Sequence, residues 1–80
     1  MKIKTARGRE FDCDYFNPFP PANKVNINIL NASVAEVATV FGNPAETVQL
    51  WYEDQYIANH TKLIAIYPEG NSIRVVLGKE

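Results

Sequence analysis

At 80 residues, with 46% hydrophobic and 21% charged side chains, the chain has material for a single domain, residues 1–80, and a single core. One cysteine excludes an internal disulfide, and with only one histidine beside it the usual Cys/His zinc set cannot be completed. A formal charge of −1 gives no broad attraction to phosphate, which argues against a nucleic-acid partner.

The opening "KIKTARGREFDCDYF" predicts a hairpin. Ile3 and Thr5 alternate with lysines, Arg7 and Gly8 supply the turn, and Phe11, Cys13 and Tyr15 alternate with Glu10, Asp12 and Asp14. Successive side chains on a strand point to opposite faces, so Cys13 is expected in the core and the two aspartates beside it in water. A buried thiol between two acids is an inert one, because neither burial nor negative charge favours thiolate.

"NPFPPANK", residues 17–24, carries three prolines and Phe19 and predicts a loop between two strands. Phe16 and Phe19 either pin that loop on the core or offer a proline-stiffened contact surface that loses little entropy on docking. "VNINIL" then alternates strictly through Val25, Ile27 and Ile29 and predicts a half-buried strand with one wet face.

Ser33 followed by Glu36 is the spacing of a capping box, in which each side chain satisfies the other's free backbone amide, so a helix starts near Val34. Val34, Val37, Ala38 and Phe41 make an apolar stripe at helical spacing, and Gly42 with Pro44 beyond it ends the helix. A helix this short depends on packing.

The remainder, rich in β-branched and aromatic residues, predicts a meander. Its strands run near 47–52, 56–67 and 72–77, with turns at 53–55 and 68–71. The expected fold is therefore α+β: a small, mostly antiparallel sheet of about six strands, in the order ββ-β-α-β-β-β, with one short helix packed on it.

Candidates for chemistry are few. His60, with Glu53, Asp54, Tyr56 or Cys13, can be drawn as an acid/base group, but a lone histidine without nucleophile, metal partner or phosphate-binding loop reads as structural or solvated. Glu53 and Asp54 read as a solvated turn. "NAS" at Asn31 and "NHT" at Asn59 match the glycosylation pattern, yet no secretory signal is found ahead of them. No catalytic residue, metal site or cofactor is expected.

Trp51, Tyr52, Tyr56 and Tyr67 enrich the meander in aromatics. Trp51 and Tyr52 are neighbours on one strand and cannot enter the same core layer, so at least one is left for an outer surface. Phe19, Trp51, Tyr52 and Tyr56 are the expected interaction surface. No run approaches the roughly 18 apolar residues of a membrane span. The expected location is the cytoplasm, or a virion after assembly.

The passage "VFGNPAETVQLWY", the tyrosine followed shortly by "HTKL", and the closing "IRVVL" strand after a glycine turn resemble small proteins of unassigned role encoded in prophages of gut Firmicutes, often among virion structural and tail genes. The resemblance covers somewhat more than half the chain and implies a virion or assembly component with no catalytic residues to carry over. It agrees with the leading expectation from the residues: a non-enzymatic protein working by protein–protein contact, as a homo-oligomer or an assembly subunit. Alternatives are a ligand-binding module or enzyme built on His60 with nearby carboxylates, and a regulator that binds a host protein.

Overall fold

The computed structural model describes residues 1–5, 7–19, 24–42, 48–60 and 62–78. They form one antiparallel sheet of seven strands: β1 (Lys2–Lys4), β2 (Glu10–Phe19), β3 (Lys24–Leu30), β4 (Val48–Tyr52), β5 (Gln55–His60), β6 (Lys62–Glu69) and β7 (Ser72–Gly78). The helix, α1 (Val34–Phe41), lies between β3 and β4. The expected antiparallel sheet with one short helix is present. With eight helical residues against seven strands the fold is mostly β, so α+β describes it only loosely.

The seventh strand comes from the segment 56–67, which is two strands rather than one. The sheet order is β5-β4-β1-β2-β3-β7-β6, so β5 and β6 stand at opposite ends although only residue 61 separates them. A flat sheet of this order would hold its ends about 29 Å apart, whereas two Cα atoms with one residue between them reach at most about 7 Å. The sheet therefore rolls until the end of β5 comes near the start of β6, and the molecule measures 28 × 25 × 25 Å. The predicted meander is replaced by two hairpins, β4–β5 and β6–β7, at opposite ends of the order.

The rolled sheet encloses Ile3, Phe11, Cys13, Val25, Ile27, Ile29, Leu50, Ile73, Val75 and Leu77, with Val37 and Phe41 of α1 completing the core. The alternations read from β1, β3 and the start of β2 hold. In β2 the register shifts between Cys13 and Tyr15, so Tyr15 stands opposite Asn28 and Phe16 opposite Ile27. An inserted residue reverses the faces beyond it, and Phe16 is the residue that packs on the core. The Tyr15 side chain lies outside the described residues.

The loop expected over 17–24 is shorter. Asn17, Pro18 and Phe19 continue β2, with Phe19 opposite Lys24, and the remainder of that loop lies outside the described residues. The supposedly wet face of β3 is also partly covered, since Asn28 is buried.

In α1, Ser33 Oγ accepts from the Glu36 amide at 3.1 Å, the first half of the predicted capping box. The Glu36 carboxylate pairs with Arg9 instead of returning to the Ser33 amide. The apolar stripe is rotated from the expected one: Val37 and Phe41 are buried and Val40 packs on the core, while Val34 and Ala38 are exposed. Phe41 meets Phe11 with ring centroids 5.6 Å apart, and α1 lies against β6. At the helix end the Gly42 amide donates to the Ala38 carbonyl, against which any Cβ at this position would collide.

Candidate functional site

The β4–β5 hairpin carries most of the residues singled out from the sequence. Its turn is two residues long, Glu53 and Asp54, between the paired Tyr52 and Gln55. Both have positive φ, 52° and 62°, which matches the right-handed twist of the flanking strands but is normally filled by Asn and Gly. Neither acid is in an ion pair among the described residues, and both are exposed.

Trp51 and Tyr52 point to opposite faces, as strand alternation requires. Tyr52 is on the core side, stacked on Phe16 at 5.2 Å, with its hydroxyl against Met1 Sδ. Trp51 is on the outer side, where Tyr56 meets it edge-on at 5.2 Å. Cross-strand pairing sets Tyr56, Trp51, Lys4 and Glu10 in one row across β5, β4, β1 and β2. Tyr56 is 47% exposed. Of the four expected contact residues, Trp51 and Tyr56 thus share the outer face, Tyr52 supports the core, and the Phe19 side chain lies outside the described residues.

An open cleft of about 520 Å³ lies beside this row, lined by Met1, Lys2, Lys4, Glu10, Trp51, Glu53 and Asp54. Lys2 is held by Asp12 at 3.4 Å. Besides the terminal ammonium of Met1, the remaining charged lining is one lysine, Lys4, against three carboxylates, Glu10, Glu53 and Asp54.

His60 is not part of it. It is fully buried at the far end of β5, opposite Val48, about 17 Å along the strand from the turn that carries Glu53 and Asp54. Cys13 is buried opposite Ile29. Desolvation pushes the Cys13 thiol up, against an opposing pull from the N-terminal ammonium, and Glu53, Asp12 and Asp14 push it further. The Tyr52 hydroxyl is likewise raised, by desolvation first and then by Cys13 and Glu53. His60 is therefore not brought to the turn acids, and Cys13, although within electrostatic reach of Glu53, is held in the core. Among the described residues no three His, Cys, Asp or Glu side chains gather as a metal-binding set.

A second outer-face row escaped the sequence reading. Asn28, Arg74 and Tyr67 are neighbours across β3, β7 and β6. Asn28 Nδ2 donates to Asp14 Oδ2 at 3.3 Å, and Arg74 lies 4.6 Å over the Tyr67 ring while pairing with Glu69 at 3.0 Å. Arg74, Tyr67 and Glu69 face one another across the β6–β7 hairpin, whereas Asn28 is brought to Arg74 and Asp14 only by the register of β3 with β7 and β2.

The two strands at the ends of the sheet complete the site. Each has a ladder on one side only, β5 with β4 and β6 with β7, and each carries one unpaired bulge residue, Ile57 and Ile64. β6 contains Lys62, Pro68 and Glu69 and has α1 against it, whereas β5, "QYIANH", contains neither charge nor proline. No helix among the described residues is long and apolar enough to cross a membrane. No protein-family model matches the chain, and neither a curated protein nor a solved structure matches it.

Proposed function

We propose that this chain is a non-enzymatic contact protein, a small subunit of a phage-related assembly that engages its own copies or another protein through the β5 edge and the adjoining Trp51–Tyr56 face. The observation that carries this reading is the inequality of the two sheet ends. An unpaired strand edge is a template for another chain, and proteins protect edges with charge, proline or a covering element. β6 has Lys62, Glu69 and Pro68 with α1 against it, whereas β5 has neither charge nor proline, and among the described residues only its bulge at Ile57 interrupts the edge. Strand addition supplies main-chain hydrogen bonds, and large aromatics beside the edge supply anchoring area.

The separation of His60 from the turn acids and the burial of Cys13 support contact over catalysis. The resemblance to prophage-encoded proteins supports a virion or its assembly as the setting, with the cytoplasm as the place of synthesis. The test is the mass of the protein in solution over a wide concentration range, together with its state when expressed in its native host. Species larger than the 9.0 kDa chain, in either setting, are expected. A strict monomer in both would overturn the reading.

A further inference from the structure

We infer that the occupant of the β5 edge is β5 of a second copy, added antiparallel about a twofold axis through the middle of the strand. This rests on the reading of β5 as the contact edge and adds to it the partner, the direction and the charges that fix both. The strand is uncharged along its length but polarised at its ends: Glu53 and Asp54 precede it in the turn and Lys62, the first residue of β6, follows two positions after its last residue. Antiparallel addition brings the acidic turn of each copy beside Lys62 of the other, twice per dimer. Parallel addition would set acid against acid and lysine against lysine, which is unfavourable for facing strands.

Side-chain placement agrees with that direction. Tyr56 and Asn59 are both exposed and lie on either side of the strand centre. An antiparallel partner therefore meets Tyr56 of one copy with Asn59 of the other, with the Trp51 edge contact behind each tyrosine. No proline within β5 withholds a backbone donor from the new ladder.

The charges allow a test by exchange. Lys62→Glu leaves acid facing acid in its own dimer, and Glu53→Lys with Asp54→Lys leaves lysines facing lysine. Each should weaken self-association about tenfold, read as the dissociation constant by analytical ultracentrifugation at low salt. Mixing the two variants regenerates both opposite-charge contacts, so a heterodimer with close to wild-type affinity is expected from partners that do not dimerise well alone. Recovery in the mixture also shows that both variants are folded. As the wild-type concentration rises, amide exchange should slow in β5.

A wild-type dimer whose affinity ignores these charges, or a mixture that does not recover, would overturn the inference while leaving the contact-protein reading intact. A wild-type monomer at every concentration would overturn it as well. In that case an assembly found in the native host would locate the contact with a different chain. The absence of any assembly there would end the broader reading too.

Discussion

The two ends of the sheet are chemically unlike, although one continuous run of sequence supplies both. β5 is a neutral six-residue strand with an aromatic pair on its outer face. β6 is longer, carries Lys62, Pro68 and Glu69, ties Tyr67 down under Arg74, and lies against α1. The bulge residues differ in the same sense, since Ile57 packs on the core while Ile64 is 45% exposed. Among the described residues the ends of the rolled sheet form no ladder with each other, which leaves two edges, and α1, Lys62, Pro68 and Glu69 all lie at one of them. The other edge is where contact with a second chain is cheapest.

The comparison breaks most severely if the cover over β6 is removed. Phe41→Ala deletes the ring that joins α1 to Phe11 and should cost about 3–5 kcal/mol. That is comparable to the net stability of a domain this size. Loss of cooperative unfolding by circular dichroism is expected, with aggregation as the newly bared edge finds partners. A fully cooperative, monodisperse variant would show that α1 is not what protects β6.

The turn before β5 separates stability from contact. Glu53→Asn with Asp54→Gly replaces two left-handed residues by those the turn favours and should raise stability by about 1–2 kcal/mol, measured by urea unfolding. The same change removes the negative end of the contact edge, so self-association should fall while the fold strengthens. Parallel movement of the two quantities would contradict the distinction drawn between the edges.

A milder perturbation acts on the helix from its start. Ser33→Ala removes the acceptor for the Glu36 amide and should cost about 1 kcal/mol, shifting the urea midpoint without changing the mass at equal folded concentration.

The smallest effect is on pH dependence. Cys13 and Tyr52 both hold their protons more tightly folded than unfolded, from ordinary values of 9.0 and 10.0. Between the unfolded and folded values, unfolding releases a proton, so stability is fully present below the ordinary thiol value and falls as pH rises through it. Urea midpoints from neutral to alkaline pH should show this decline, and Cys13→Ala should flatten its first part. An unchanged slope in that variant would place the titration elsewhere.

Local chemistry made much of the fold legible. Strict alternation exposed Val25, Ile27 and Ile29, the capping spacing located the start of α1 at Val34, and alternation also separated Trp51 from Tyr52. Features that depend on an inserted residue or on a distant partner were not legible. The shift after Cys13 turned Phe16 to the core, and Glu36 found Arg9 rather than the Ser33 amide. The stripe on α1 settled one position round from its expected place because Phe11 and β6, not the helix alone, decide which side is covered.

The sequence by itself determined which residues alternate, where the helix begins and that Glu53 and Asp54 turn the chain, because these follow from the chemistry of neighbours a few positions apart. Only the tertiary structure decided that the run after Gln55 divides between His60 and Lys62, that its halves end opposite sides of one rolled sheet, and that the uncharged half is the one without α1 against it among the described residues. No local signal marks that division: the segment has uninterrupted strand character, and its halves part because the rolled seven-stranded sheet places them at opposite ends of its order.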